Sequence, residues 1–546
     1  MSRRAGSAWP LLLLLLPLAL TIAWTGLNHD VRFVLGTLQT AGGAGLSPSE
    51  VFVHRPMAYR LVMALGDAGS SLPGPGREAV VRVLALVAVL LVSLLLRAGL
   101  LRYRPAREAT AVAAATGVAL ALAPNWDFLQ PEWLAAVFAA GGVGAALRIR
   151  RLVPAALLGG VLLALTVLVK YTTAPTAVVA LGAVAVLDRR RAVLTAVLGA
   201  PICLGLFGLT VLIEPREWRW FGELSTLNGA SPLSRGWALS DARALAGTVL
   251  NEALAVPMVA LLPVSVVVLV RLAAGRRARL AWLLLPAAAV LVVLAAVVLQ
   301  GQWFQYHLAA LVPFAAALGG LALARWSAEH GGPPRALVLP ALALGAGIPI
   351  VSAASTEWRL AHGTPVYAAL VVLVVVGVLL ALKERGRTWP VAAMLGALAV
   401  FAVPVWPSAP YSFDAIHADY TNSERVAAAR LDERLFAPVR ARIGADTPVV
   451  YLAFGDMAYF FGNPADCRYP APVFVQRGTY IPAVRGLRSY RENLDCLERT
   501  NAAYLVVQPS WLAVDRLPPD VAAGLRSRFD CDRALPAGEL TICPRR

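Results

Sequence analysis

The chain has 546 residues, 58% of them apolar, a formal charge of +17 and a mean hydropathy of +0.67. That balance excludes an ordinary soluble domain and specifies a polytopic α-helical membrane protein. Nucleic acid is excluded as the partner for the positive charge, because the arginines fall in short clusters between apolar runs, as the positive-inside bias requires.

Arg3 and Arg4 precede an apolar run from Trp9 to Leu27. The run is too long for a signal-peptide core and no Ala-x-Ala cleavage site follows, so it reads as a retained first helix that starts in the cytoplasm. The segment from Asn28 to about Arg77 is then an outer loop. It carries Asn28-His29-Asp30-Val31-Arg32, then His54-Arg55-Pro56-Met57-Ala58-Tyr59-Arg60, and a short amphipathic piece, Met57 to Leu65, that lies along the interface. A carboxylate followed by His, Arg and Tyr reads as one wall of an active site at the membrane surface. The plainer alternative is that Asp30 ends a helix and the cations face lipid phosphate.

Further helices are expected near 79–100, 109–123, 132–147, 152–168, 172–187, 192–213, 247–270, 280–299, 304–324, 335–352, 366–382 and 389–406. They bring the total to about thirteen, several close to the ~17 residues needed to cross. With the N-terminus inside and the C-terminus outside, the clusters at Arg97–Arg107, Arg148–Arg151, Arg189–Arg191, Arg271–Arg279 and Lys383–Arg387 all land on one face. The opposite face gathers Asn125-Trp126-Asp127-Phe128-Leu129-Gln130-Pro131-Glu132, Lys170-Tyr171-Thr172-Thr173, a charged and Trp-rich loop from Glu214 to Arg243, Gln300-Gly301-Gln302-Trp303-Phe304-Gln305-Tyr306-His307, and Ser355 to His362. A purely structural protein has no need of that asymmetry.

After Trp406 the composition changes. Helices over Ser423–Ile443, Arg488–Thr500 and Pro519–Phe529 alternate with strands over Pro448–Phe454, Ala502–Val507 and Glu539–Cys543, which predicts a small α/β domain at 407–546 after a membrane domain at 1–406. Cys203 sits alone in an apolar span, whereas Cys467, Cys496, Cys531 and Cys543 fall in this domain, as disulfides in an oxidising compartment do. Proximity favours Cys467 with Cys496 and Cys531 with Cys543 among the three pairings. No Gly-rich phosphate fingerprint or metal-ligand spacing appears in it.

Ionisable groups at a membrane edge are costly unless they pair, bind an ion or act on a substrate. Asp30 is the best general-base candidate. Asp127 and Glu132 compete with a simpler role, as acidic partners of the helix that opens at Pro131. Arg55, Arg60, Lys170, Arg216 and His307 are suited to a phosphate leaving group, with Lys170 snorkelling to headgroups as its plain alternative. His29, His54, Tyr59, Gln130, Tyr171, Gln302 and Tyr306 complete the substrate-binding candidates.

These elements resemble the GT-C superfamily of membrane glycosyltransferases, which use polyprenyl-phosphate-linked sugars. Asp30 matches the family's first-loop catalytic aspartate. Asp127-Phe128-Leu129-Gln130-Pro131-Glu132 and Phe304-Gln305-Tyr306-His307 look like its later, less strict elements, and the chain is similar in organisation to bacterial mannosyl- and arabinosyltransferases of the cell envelope. The resemblance implies an inverting hexosyl or pentosyl transfer at the outer face of a bacterial plasma membrane. The partners it implies are a polyprenyl-phosphate-sugar donor and an envelope glycan, glycolipid or protein acceptor. Asp30 stands alone after Asn28-His29, where some branches carry an acidic pair, and the sequence specifies no metal or other cofactor. Two rivals from other classes are a transporter or flippase of lipid-linked sugars, and an envelope assembly protein without catalysis. A transporter would place its polar groups near the midplane, not at one face.

Overall fold

The computed structural model describes Thr21 and residues 25–68, 74–229, 239–386, 388–409 and 421–546. Most of the expected first helix, Trp9 to Leu27, lies outside the described residues. Among those described, 6 helices are long and apolar enough to cross a membrane: Gly76–Leu100, Arg189–Ile213, Arg276–Gln300, Leu311–His330, Arg335–Ser352 and Thr356–Lys383. Shorter helices, including Ala106–Ala121, Pro131–Arg148, Leu152–Leu168 and Ala174–Leu187, complete the bundle. Leu212 and Leu299 are 80% and 81% exposed on its outside, an arrangement that suits hydrocarbon and not water. Inside, small residues bring backbones together; a Cβ on Gly144 would stand 2.7 Å from the Leu96 nitrogen.

The Leu152–Leu168 and Arg335–Ser352 helices have the expected limits. The run expected as one helix over 247–270 is three pieces, Leu239–Ala255, Pro257–Ala260 and Leu262–Arg271. Pro257 and Pro263 explain the breaks, since each lacks an N–H and is tolerated only in the first turn of the piece that follows. The helix expected from 304 begins at Leu311, after a separate 3₁₀ turn over Gln305–Leu308.

At one end of the bundle the arginine clusters cap helix C-termini. Arg102 Nη1 donates to the carbonyls of Leu147 (2.9 Å) and Ile149 (3.1 Å). Arg191 donates to those of Ala146 (2.7 Å), Ile149 (2.7 Å) and Arg150 (3.0 Å), and Arg271 donates to Ala381. Otherwise orphaned carbonyls are thus satisfied by charges that also favour the negative end of each helix dipole.

The opposite end carries the loops. The Asn28–Arg77 segment, expected as a loop with one short amphipathic piece, is mainly two helices, His29–Gly43 and Met57–Ala68. Asn28 makes the first possible: its Oδ1 accepts from the Asp30 amide at 2.8 Å, an N-cap that leaves Asp30 in the first turn. A third helix, Arg216–Gly229, occupies much of the Trp-rich loop.

Over this end sits the C-terminal domain. Its four-stranded sheet has the order β1-β2-β4-β3, with β1 (Val449–Leu452) parallel to β2 (Tyr504–Val507), and β4 (Leu540–Pro544) antiparallel to both β2 and β3 (Leu535–Ala537). The Asn422–Ile443 helix opens on a capping box of Thr421 and Glu424. Cys467 is bonded to Cys496 and Cys531 to Cys543, and Cys203 is free.

Candidate active site

The polar side chains of the loop end converge on two linked groups. Asp30 is the centre of the first. His29 Nε2 lies 3.6 Å from its Oδ1, Arg55 Nη2 3.7 Å from its Oδ2, and Gln130 Nε2 donates to the same Oδ2 at 3.4 Å. About a quarter of the side chain is exposed, so a lone pair is open to an incoming group. Burial raises the pKa of this carboxyl, but His29, Arg55 and the Gln130 amide outweigh it and hold the group below its ordinary 3.8. Asp30 is therefore an ionised carboxylate at neutral pH.

The second group is buried. Lys170 Nζ lies 2.5 Å from Glu132 Oε1 and 3.2 Å from His307 Nε2, and His307 Nε2 is 3.5 Å from the same Glu132 oxygen. Gln300 Nε2 meets His307 Nε2 at 2.9 Å, and the Tyr306 ring faces the Lys170 ammonium at 5.5 Å. The 3₁₀ turn at Gln305–Leu308 aims His307 inward, and a second one, Tyr171–Thr173, frees Lys170 from the helix that precedes it. Arg55 joins the two groups, being within electrostatic range of Asp30, Tyr306 and Glu132. Beside Glu132 and His307 a small, partly open cavity of about 20 Å³ lies between Thr172–Thr176 and the apolar stretch Val293–Val297.

Other candidates are placed elsewhere. Arg60, 1% exposed, is spent on structure: it pairs with Glu217 at 2.6 Å and donates to the carbonyls of Pro48, Ser49 and Arg55. Tyr59 donates its hydroxyl to the Leu129 carbonyl at 2.8 Å. Leu129 has φ +65° and His54 φ +58°, strained values for side-chain-bearing residues, and each immediately precedes a site residue, Gln130 or Arg55. Tyr59 thus supports the site from behind. His54 bonds Asn228 at 2.9 Å, and burial together with Arg55 and Arg477 pushes it down to about 3, so it is neutral. Asp127 is fully buried beside Glu252, which also accepts from Trp126 Nε1 at 3.1 Å. Tyr171 packs edge-on against Phe207 and Phe221, and Gln302 donates to the Asn228 carbonyl.

Three contributors were not among the substrate-binding candidates read from the sequence. Gln300 ends an apolar helix, where its amide was a legible signal. Arg425, whose Nη1 lies 3.3 Å from His29 Nδ1, and Phe454, whose ring is 6.2 Å from that of His29, come from the C-terminal domain, and nothing local marks them. Among the described residues no three His, Cys, Asp or Glu side chains form a set able to hold a metal ion.

No family model matches the sequence, and no curated protein matches it. Solved structures do match. ArnT from Cupriavidus metallidurans in the apo state superposes with a TM-score of 0.57 at 15% identity, over 99% of this chain and 98% of that one. The same protein bound to undecaprenyl phosphate gives 0.55 at 15% identity, with the same 99% and 98% coverage. The apo oligosaccharyltransferase of Archaeoglobus fulgidus gives a looser 0.40 at 12% identity, over 97% of this chain and 73% of that one. End-to-end superposition on ArnT shows that the chain shares the fold of that protein, in keeping with the fold that the resemblance to GT-C glycosyltransferases implies.

Proposed function

We propose that this protein transfers a sugar from a polyprenyl-phosphate donor to a hydroxyl of a cell-envelope acceptor, with inversion at the anomeric carbon. The carrying observation is the convergence, at one end of the bundle, of an accessible ionised Asp30 with Arg55, Lys170 and His307. Asp30 accepts the proton of the acceptor hydroxyl as that oxygen attacks the anomeric carbon. The departing phosphate oxygen gathers negative charge, which Arg55 and Lys170 meet from fixed positions, the kind of preorganised electrostatics that supplies a large catalytic term. His307 and Gln300 hold Lys170 in place. ArnT, which binds undecaprenyl phosphate on the same fold, supports a lipid-phosphate donor.

In this reading the chain crosses a bacterial plasma membrane about thirteen times. The site and the domain at 407–546 face outward, while the arginine-capped end faces the cytoplasm. A polar cluster confined to one end suits chemistry at a surface and not passage through a midplane site.

The test is Asp30→Asn, which keeps shape and the capping geometry but removes the basic lone pair. Turnover of undecaprenyl-phosphate-linked sugars falls by roughly a hundred- to ten-thousand-fold, while undecaprenyl phosphate still binds. Wild-type turnover in Asp30→Asn, at equal expression, removes Asp30 as the base.

A further inference from the structure

The helix that carries Asp30 is seated on the C-terminal domain, backbone against backbone. Midway along His29–Gly43 stands Gly36, and it faces Gly455, the first residue of the Gly455–Phe461 helix. A Cβ on Gly36 would fall on the Tyr459 amide nitrogen and within 2.6 Å of the Gly455 carbonyl; one on Gly455 would lie 2.5 Å from Phe33 Cδ2 and 2.8 Å from Thr37 Oγ1. Neither position has room for a methyl group, so the two helices meet as closely as peptide backbones can. The same domain grips the helix at both ends. Phe454 stacks near Phe33 at 5.0 Å, Arg425 reaches His29, and the Ala465 amide donates to the Thr40 carbonyl at 2.9 Å. Phe454 is itself fixed, its amide donating to Gln508 Oε1 at 3.0 Å while Gln508 Nε2 donates to Glu539.

We infer that the C-terminal domain is a positioning device for Asp30, with the Gly36–Gly455 contact setting where the carboxylate stands relative to Arg55, Gln130 and the acceptor hydroxyl. The inference rests on Asp30 being the base. It gives a function to a domain that, among the described residues, contributes none of Glu132, Lys170 and His307, which all belong to the bundle.

The experiment compares full-length Gly36→Ala, Gly455→Ala and Gly42→Ala. Gly42 lies on the same helix with open space where its Cβ would go. Alanine favours helix over glycine at each site, so a loss cannot come from a weakened helix. Undecaprenyl phosphate binding counts the folded sites, and turnover of undecaprenyl-phosphate mannose and arabinose is expressed per site. To reach ordinary contact the methyl of Gly36→Ala must push the helix back by about 1 Å, a displacement able to cost up to a hundredfold in rate. Gly36→Ala and Gly455→Ala should therefore lose about ten- to a hundredfold in turnover per site. Lipid affinity should stay unchanged, and the acid limb of the pH–rate profile should move to higher pH as Asp30 leaves its cations. Gly42→Ala should match wild type in every measurement.

Wild-type turnover per site in Gly36→Ala overturns the inference, as does an equal loss in Gly42→Ala or a parallel loss of lipid affinity. If Gly36→Ala yields no lipid-binding protein, Gly455→Ala decides by the same criteria, because its nearest clashes are with the Phe33 and Thr37 side chains. Asp30→Asn is run in the same series. Full activity there refutes the base assignment itself, whereas an inactive Asp30→Asn beside a fully active Gly36→Ala refutes the positioning role alone.

Discussion

Replacing Lys170 by Met separates what this residue does for stability from what it does for the donor. Lys170 lies 2.5 Å from Glu132 and 3.2 Å from His307, with side-chain exposure of 17% against 5% for Glu132. Removing the ammonium strands a buried carboxylate, and breaking such a pair costs about 3–5 kcal/mol. The variant also loses a charge-assisted hydrogen bond to the lipid phosphate, worth about 1.5–3 kcal/mol. That converts to a roughly 10- to 160-fold weaker Kd for undecaprenyl phosphate. The double variant Lys170→Met/Glu132→Gln removes both charges. It should recover most of the lost thermal stability while its lipid affinity stays as low as in Lys170→Met. Binding measured by lipid-induced thermal stabilisation and by direct titration in detergent gives both quantities. A double variant that binds undecaprenyl phosphate as tightly as wild type refutes the placement of the phosphate at Lys170.

The pH dependence of transfer carries the sign of Asp30: with its pKa held below 3.8, turnover is retained at mildly acid pH and lost only as pH falls through that depressed value. Arg55→Leu removes one of the groups that hold it there and should shift the acid limb upward; an unshifted limb rules out Asp30 as the titrating base. Arg60→Ala leaves Glu217 buried and three carbonyls unpaired, so it should lower thermal stability by about 3–5 kcal/mol, and a variant unfolding like wild type contradicts the structural role. Unfolded without reductant, the protein should show a single reactive thiol, Cys203, out of its 5 cysteines. Finding three or five reactive thiols negates one or both pairings.

Much of the bundle is legible without coordinates, for a physical reason. Hydrocarbon leaves the backbone no partner but itself, so each long apolar run must be helical wherever it lies in the chain. Hence Leu152–Leu168 and Arg335–Ser352 have the limits that the apolar runs predict, and the β1 and β2 strands near the C-terminus announce themselves as short apolar runs between polar helices. Composition and hydropathy alone determined that the protein lives in a membrane, and the alternation of arginine clusters with polar loops separated an arginine-rich end from one of mixed polar and charged residues.

The tertiary structure decided what those residues do. His29–Gly43 is helical because Asn28 caps it and the Gly455–Phe461 helix packs on it, the second being a contact made more than four hundred residues downstream. Lys170 pairs with Glu132 and His307, partners 38 and 137 positions away, so no local pattern could tell a snorkelling lysine from a buried one. The same holds in reverse for Arg60 and Asp127. Residue type offered both as substrate ligands, but burial and partners turned the first into a clamp on Glu217 and set the second beside Glu252. Residue chemistry restricts what a side chain is able to do; which of those things it does depends on neighbours brought together only when the chain closes on itself.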